Sequence, residues 1–334
     1  MRYLSVVLMA ISITAHAEES SVEWDMQSLS EAQEIADEIG TMSFVVQSGG
    51  EVVYTYGDVD RPTLVRSIRK AILSTLVFQH LDKIDLNATL DELGIDDAPI
   101  PLTDLQRQTR VIHLLKSTSG IHHPAGSTNA NMRRHVEERL GTRQNEPGTI
   151  WAYNNWDYNA LTTIFEQQTG MPIEKAFREG LAGPLGIPDF EVFYRKDEKL
   201  SQHPKAGFRL SSRDLARFGQ LMLNRGTWNG QQIVPAEWID KITSEYTLTN
   251  VPISDRYGHG YLWWIPSPNY AGGLPEGSFM ANGAQGQKLL VIPGMDIVIA
   301  HNVKTDMPPS QRTPVSADEF EGLVAIILEG RVAD

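Results

Sequence analysis

Cysteine is absent from the 334 residues of this chain. Its absence excludes disulfide bonds, a thiolate metal site and a cysteine nucleophile, and it also excludes a lipid-modified cysteine at a processing point. The histidines and acidic residues lack the spacing of metal ligands, so we expect neither a metal nor another cofactor. Stability must come from a hydrophobic core, and a hydrophobic content of 41% is enough to build a large one.

Positive charge is also scarce, because 29 lysines and arginines face 42 acidic residues and the formal net charge is −13. Such a surface repels nucleic acids and anionic membranes, and no basic cluster along the sequence offsets it. No apolar run reaches the roughly 20 residues that a membrane-spanning helix needs. We therefore expect a small-molecule substrate, with no nucleic-acid partner, no membrane span and no obligate protein partner.

The first 17 residues have the three parts of a secretory signal. Arg2 is followed by an apolar run at 3–14, and the segment A-H-A at 15–17 stands before two acidic residues. We expect cleavage after Ala17 and a bacterial protein that is periplasmic or secreted, with residues 18–334 forming one catalytic domain.

The segment from Leu64 to Leu81 opens with Ser67 and Lys70 and then continues as an almost wholly apolar helix. Residues three apart lie on the same side of a helix, so the lysine stands beside the serine hydroxyl. Burial and the helix N-terminus both disfavour the protonated amine, which would let the lysine act as a base for a serine nucleophile. The alternative is an N-cap serine followed by a surface lysine, and S-x-x-K alone does not exclude it.

A second candidate motif is the aromatic segment W-A-Y-N-N-W-D-Y at 151–158, where Tyr153 and Asn155 precede a helix. A tyrosine near a lysine can move a proton to a leaving group, and an asparagine amide can hold the substrate or the lysine. The alternatives are an aromatic loop in the core, or the segment S-T-N at 127–129 in the same role. We favour Tyr153 because an ordered helix follows it.

A third candidate motif is the strand end F-M-A-N-G-A-Q-G-Q at 279–287. Its glycines allow a substrate to lie against the backbone, and a strand edge opposite a helix N-terminus supplies one N–H group of an oxyanion hole. The alternative is an ordinary glycine turn in a hairpin. His259 precedes this strand end, and we expect it beside the cleft in a structural or substrate-contacting role.

The order of the predicted elements indicates an α+β fold. A helix at 31–40 precedes a hairpin at 43–56, and helices dominate as far as residue 205. Strands are predicted at 260–265, 278–282, 287–292 and 296–303, and a capping box at 316–319 opens a final helix. We expect an antiparallel sheet with N- and C-terminal helices over about 28–80 and 206–334, and an all-helical lobe over about 81–205.

These three motifs, in this order, resemble the serine β-lactamase and penicillin-binding protein superfamily, closest to the class C β-lactamase-like branch that includes esterases and amidases. Further matches to that branch are the segments S-T-S-G-I at 117–121, S-S-R-D-L-A-R-F-G at 211–219, and Y-G-H-G-Y-L-W-W at 257–264. The resemblance extends from about Gln33 to Leu328. It implies the fold of that superfamily, with the active site between the sheet and the helical lobe.

The resemblance also implies a role for each residue. Ser67 would be the acylated nucleophile, Lys70 its base and Tyr153 the proton shuttle. Asn155 would contact the substrate or the lysine, and the N–H groups of Ser67 and of Ala284, after Gly283, would form the oxyanion hole.

The sequence departs from the superfamily pattern at Ala281, where many relatives carry a lysine or histidine that holds the substrate carboxylate. We therefore expect an exported serine hydrolase of esters or small amides. The alternatives are β-lactamase or D,D-peptidase activity, with Lys288 or His301 replacing the missing basic residue, and a non-catalytic protein that binds cell-wall ligands.

Overall fold

The computed structural model describes residues 23–249, 256–267, 274–308, 310 and 312–332. The signal peptide predicted for residues 1–17 lies outside these described residues. In the described ranges no helix combines the length and the apolar character needed to cross a membrane.

The strands belong to one large antiparallel sheet and two small sheets. The described strands are β1 (Thr41–Ser48), β2 (Glu51–Gly57), β3 (Thr63–Leu64), β4 (Glu191–Arg195), β5 (Lys205–Leu210), β6 (Thr227–Trp228), β7 (Gln231–Gln232), β8 (Thr247–Leu248), β9 (Tyr257–Gly260), β10 (Trp263–Pro266), β11 (Phe279–Gly283), β12 (Gln287–Ile292) and β13 (Ile297–Val303). The eight-stranded sheet has the order β2-β1-β13-β12-β11-β10-β9-β8, and the small sheets are β3-β5-β4 and β6-β7.

Helices lie on both faces of the large sheet and form most of the lobe beside it. The described helices are α1 (Met26–Ile39), α2 (Arg69–Gln79), α3 (Asp104–Arg107), α4 (Val111–Leu115), α5 (Ala130–Leu140), α6 (Asn155–Thr169), α7 (Ile173–Phe177), α8 (Gly183–Leu185), α9 (Ser212–Leu223), α10 (Ala236–Ser244) and α11 (Ala317–Glu329). The predicted α+β class, with an antiparallel sheet and terminal helices, is confirmed.

Each face of the large sheet has its own hydrophobic core. On one face α1 and α11 pack together, and Ala36, Phe44 and Phe320 belong to the core there. On the other face α9 lies against β1, β12 and β13. Gly219 permits this close packing, since a Cβ there would lie 2.5 Å from a methyl group of Val298. The layers explain why β12 and β13 are buried on both faces.

The helix ends follow the capping signals in the sequence. α1 ends at Gly40 in the left-handed conformation, and α6 begins after Asn154, whose side chain accepts from a backbone N–H. The box at 316–319 opens α11 as predicted. α9 begins at the corresponding box of Ser211 and Asp214.

The small sheet β3-β5-β4 was not predicted, and it lies beside the N-terminal end of α2. β4 falls within the range 81–205 that was expected to be helical, and β5 begins at the last residue of that range. Leu64 on β3 pairs with Arg209 on β5, and the N–H of Val65 donates to the carbonyl oxygen of Phe208 at 3.1 Å. The sheet therefore fixes the chain just before α2.

The prediction of a single strand at 260–265 is wrong, because the chain reverses its direction at residues 261–262. β9 and β10 pair as a hairpin, with Trp264 opposite His259. Tyr261 and Leu262 form the turn with left-handed φ values of 50° and 72°. Neither residue is glycine or asparagine, so the sequence carries none of the usual signals of a two-residue turn.

Candidate active site

Ser67 lies in a 3-10 turn at Arg66–Ile68 that leads directly into α2. Arg66, the residue before it, has a left-handed φ of 55°. Such a conformation is uncommon outside glycine and often accompanies a functional constraint. The sharp bend between β3 and α2 presents the half-buried serine at the N-terminal end of a helix that is otherwise buried.

Lys70 is 2% exposed, and its Nζ donates to the Oγ of Ser67 at 3.1 Å. The same nitrogen is hydrogen-bonded to the hydroxyl of Tyr153. Burial lowers the pKa of Lys70 well below its ordinary value, and the charges of Arg69 and Lys205 lower it further. The lysine is thus placed to accept the serine proton.

Two tyrosine rings lie beside the lysine nitrogen. The Nζ of Lys70 is 4.0 Å from the ring centroid of Tyr153 and 4.4 Å from that of Tyr158, whose hydroxyl is 2.8 Å from the Oγ of Ser117. The rings favour the ammonium form. Burial without a carboxylate partner opposes it, and burial is the largest influence on the pKa of the lysine.

Tyr153 stands just before α6 and is fixed through its backbone, since its N–H donates to the Nε2 of His135 at 3.1 Å. Burial raises the pKa of Tyr153 to about 12, while a hydrogen bond with Ser67 and the charge of Arg69 act in the opposite direction. A neutral phenol next to a lysine of lowered pKa can act as a proton donor.

The end of β11 lies against the turn that carries the serine. A Cβ at Gly283 would lie 2.5 Å from the carbonyl oxygen of Val65 and 3.2 Å from the Cβ of Arg66. Only glycine permits this approach. Ala284 follows and is exposed, and the register between β10 and β11 ends at Trp264 opposite Met280. Beyond Met280 the strand therefore has no described backbone partner on the side of β10.

One hydrogen bond connects the two sides of the predicted oxyanion hole. The Nη2 of Arg66 donates to the Oε1 of Gln285 at 2.9 Å. Gln285 also has a left-handed φ, of 76°. Arg66, which precedes the predicted nucleophile Ser67, is thus bound to Gln285, which follows the predicted oxyanion donor Ala284.

No hydrogen bond between Asn155 or Ala281 and Ser67, Lys70 or Tyr153 is described. The amide of Asn155 donates to the carbonyl oxygen of Ser127 at 3.0 Å, so it holds the segment at 127–129 that was the rival for the role of Tyr153. Ala281 is 1% exposed and belongs to the same core cluster as Val65 and Ile68, and it offers no charge to the site.

Lys288 and His301 lie on the opposite face of the sheet from Ala281. The Nζ of Lys288 donates to the Oδ1 of Asn282 at 2.8 Å, and His301 contacts the carbonyl oxygen of Gly286. Both side chains also lie near the ring of Phe320 on α11. Neither residue replaces the missing basic residue on the face of Ala281.

His259 lies beside the site, as the sequence suggested. Its ring centroid is 5.9 Å from that of Tyr153 and 5.0 Å from that of Trp264. Burial, followed by the charge of Lys70, lowers the pKa of His259 to about 3. The neutral imidazole packs against the rings of Tyr153 and Trp264.

Sequence reasoning assigned no role to Tyr158 or Arg69, although both lie within the motifs. Tyr158 is the last residue of the aromatic segment, and Arg69 stands between Ser67 and Lys70. Arg69 is buried, and its guanidinium donates to the Oδ1 of Asn159 at 3.1 Å. This hydrogen bond joins residues 90 positions apart, which no local pattern in the sequence indicates.

The layered α+β architecture and the position of the S-x-x-K turn define the class as the β-lactamase and transpeptidase-like fold. The chain belongs to the β-lactamase family, whose model matches residues 28–317. This family includes hydrolases of several kinds.

Two curated relatives illustrate the range of sequence similarity. The chain is 24% identical over 298 residues to the 6-aminohexanoate-dimer hydrolase of Paenarthrobacter ureafaciens, covering 81% of this chain and 74% of that one. It is 27% identical over 213 residues to an uncharacterised protein of Alkalihalophilus pseudofirmus, covering 58% of this chain. That match spans 59% of the relative's length, which is less than two thirds.

Solved structures share the fold at low sequence identity. A family VIII carboxylesterase has a TM-score of 0.65 at 17% identity, covering 91% of this chain and 96% of that one. The octameric penicillin-binding protein homologue of Pyrococcus abyssi has a TM-score of 0.62 at 19% identity, with coverage of 91% and 77%.

Proposed function

We propose that this protein is an exported serine hydrolase that cleaves an ester or amide bond of a small substrate through an acyl-enzyme. The observation that carries the proposal is the position of the Lys70 nitrogen. It is buried and hydrogen-bonded to both the Oγ of Ser67 and the hydroxyl of Tyr153, and no carboxylate lies within ion-pair distance of it in the described residues. This arrangement suits a nucleophile, a base and a proton donor in sequence.

In the acylation step the Oγ of Ser67 attacks the substrate carbonyl carbon, and its proton moves to the Nζ of Lys70. The backbone N–H groups of Ser67 and Ala284 hold the oxygen that becomes negative. When the intermediate collapses, the bond to the leaving group breaks. The leaving group takes a proton from the hydroxyl of Tyr153, which regains one from Lys70.

The deacylation step reverses these transfers with water as the nucleophile. Water attacks the acyl carbon and gives its proton to the pair formed by Tyr153 and Lys70. The ester bond to Ser67 then breaks, and the serine oxygen takes a proton back. The free acid leaves, and the three side chains return to their starting protonation states.

The names of the relatives support an ester or amide as the scissile bond. One curated relative is a 6-aminohexanoate-dimer hydrolase, and one structural neighbour is a carboxylesterase. Ala281 stands where many β-lactamases and cell-wall peptidases carry a basic residue, which argues against their substrates at that position. We therefore place esters and small amides before β-lactams.

A fluorophosphonate probe tests the nucleophile. We expect an intact-mass increase of one adduct in the wild type and none in Ser67→Ala. Ser74→Ala is the matched control, because Ser74 lies in the same helix and donates to the carbonyl oxygen of Ala71 at 3.0 Å, outside the catalytic contacts. Equal labelling of Ser67→Ala and the wild type would refute the assignment.

A hydrolysis screen separates the proposed activity from its alternatives. We expect turnover of p-nitrophenyl esters or small amides and little or no turnover of nitrocefin. Saturable binding without product or adduct across esters, amides and β-lactams would instead identify a non-catalytic binder. For export, we expect the protein recovered from the periplasm or medium to begin at Glu18, and recovery of an uncleaved chain in the cytoplasm would contradict it.

A further inference from the structure

Besides Lys70 and Arg69, three further cations near the nucleophile turn lack a carboxylate partner among the described residues. Arg66, Arg195 and Lys205 have no acidic group within ion-pair distance among the described residues, although the chain as a whole carries an excess of acids. Several partly exposed cations elsewhere are paired, for example Arg107 with Asp96 and Lys116 with Glu245. A local excess of positive charge in an acidic protein requires a physical explanation.

Lys205 and Arg195 lie directly opposite one another on β5 and β4. Like charges at opposite positions of an antiparallel pair are destabilising. The ring of Phe193 lies over Gly207, since a Cβ there would lie 2.5 Å from it, and the guanidinium of Arg195 lies 5.3 Å from the centroid of that ring. The pair is thus held together on one face of the small sheet.

Two acids on or near this small sheet are already engaged by another arginine. Arg209 contacts Glu191 at 2.9 Å and also binds Asp306. Lys205 remains half-buried without such a partner, and burial, followed by the charges of Arg69, Arg66 and Arg195, lowers its pKa to about 7. The charges around the nucleophile therefore repel one another.

Arg66 places the same charge next to the nucleophile itself. Its Nη2 is bound to the neutral amide oxygen of Gln285, and its Nε is buried without a partner among the described residues. Its Nη1 takes part in no described hydrogen bond. The guanidinium adjoins the predicted oxyanion donor at Ala284, so a group bound there would adjoin the scissile bond.

We propose that Arg66 and Lys205, with the exposed Arg195 opposite Lys205, form a subsite for a carboxylate group on the substrate. The inference rests on the proposed hydrolase function and specifies its substrate class. A bound anion relieves the repulsion between the cations, and partly buried charged groups gain more from such a partner than exposed ones. Arg69 is not part of the subsite, because it is buried and held by Asn159.

The number of available donors favours a carboxylate over a phosphate monoester. Arg66 offers its remaining terminal nitrogen and Lys205 offers its ammonium group, which together match the two oxygens of a carboxylate. The proposed subsite differs from the position of Ala281. It comes from β5 and from the residue before the nucleophile, on the side of the small sheet.

Two chromogenic esters that differ in one charge test the subsite. The first is mono-p-nitrophenyl adipate, which carries a free carboxylate, and the second is the same ester with that carboxylate capped as a methyl ester. We expect the wild type to prefer the anionic ester in kcat/KM by about 10-fold or more, which is typical of a charged hydrogen bond. Salt should reduce the preference.

Variants of Lys205 test whether the preference for the anionic ester arises from the proposed subsite. Lys205→Met should bring the two values of kcat/KM to within about 2-fold, and Lys205→Arg should retain the preference. The ratio is the readout because Lys205 also affects the pKa of Lys70, and that effect is common to both esters. Lys83→Met is the control, since Lys83 is exposed beyond the far end of α2.

The outcomes separate this inference from the proposed function. Equal hydrolysis of both esters by the wild type, or an unchanged ratio in Lys205→Met, would refute the subsite while leaving the hydrolase intact. Absence of p-nitrophenol release from either ester would contradict the proposed function and the subsite with it.

Discussion

Replacing Gly283 with alanine adds one methyl group at the contact between β11 and the nucleophile turn. The new Cβ would lie 2.5 Å from the carbonyl oxygen of Val65, whereas ordinary contact begins at 3.4 Å. The separation must therefore grow by about 0.9 Å. The obstructing atoms are the carbonyl oxygen of Val65 and the Cβ atoms of Gln287 and Arg66, none of which moves with a change of rotamer.

The displacement falls on the predicted oxyanion hole, since Ala284 follows Gly283 and Ser67 follows Arg66. A misplacement of about 1 Å in a catalytic geometry costs about 10²-fold in rate, which corresponds to about 2.7 kcal/mol of transition-state stabilisation. We expect kcat/KM of Gly283→Ala to fall by about this factor. Most of the loss should appear in kcat, because the oxyanion forms only in the transition state.

The assay is p-nitrophenyl ester hydrolysis combined with thermal unfolding. Gly322→Ala is the matched control, because Gly322 is exposed on α11 and has no heavy atom within 4 Å of the added Cβ. That control should keep full activity and gain up to about 1 kcal/mol of helix stability. A folded Gly283→Ala variant with an undiminished rate would refute the close approach as a requirement for catalysis.

Three other substitutions and a pH profile follow from the site and its surroundings. Ala284→Pro removes a predicted oxyanion donor and should lower kcat by about 10² to 10³; an unchanged kcat would exclude the donor. Tyr153→Phe should lower amide hydrolysis by about 10² to 10⁴, with a smaller effect on p-nitrophenyl esters, whose leaving group needs no proton; equal losses would contradict the proton-donor role. kcat/KM should fall tenfold per pH unit below the pKa of Lys70, because only the neutral amine accepts a proton, and a flat acid limb would exclude it as the base. Burial raises the pKa of Asp157 well above its ordinary 3.8, so the native state holds a proton that the unfolded state releases. Urea unfolding should therefore show stability falling as pH rises above about 4, and Asp157→Asn should flatten this slope; parallel slopes would refute the assignment.

The catalytic contacts could be predicted from the sequence where spacing alone decides proximity. Ser67 and Lys70 are three residues apart at a helix start, and the structure joins them at 3.1 Å. Tyr153 needed an additional argument, because 83 residues separate it from Lys70. The resemblance to a known superfamily supplied it. The helix ends were predicted well because Gly40 and the capping boxes act locally.

The small sheet beside α2 could not be predicted in the same way. β3 has only two residues, and its partner β5 is about 140 residues away in the chain. The unpaired charges of Arg66, Arg195 and Lys205 meet only when this sheet forms. The hairpin between β9 and β10 was missed for a different reason. Its turn residues, Tyr261 and Leu262, adopt left-handed backbone conformations without the glycine or asparagine that usually indicates them.

The most direct test of the account is to trap the acyl-enzyme during turnover. A p-nitrophenyl ester is mixed with the protein, the reaction is quenched in acid within milliseconds to seconds, and the digested protein is mapped by mass spectrometry. We expect the mass of the acyl group to appear on the peptide that contains Ser67, and we expect this adduct to decay as the substrate is exhausted. Turnover without any adduct on Ser67, or an adduct on another residue, would contradict it.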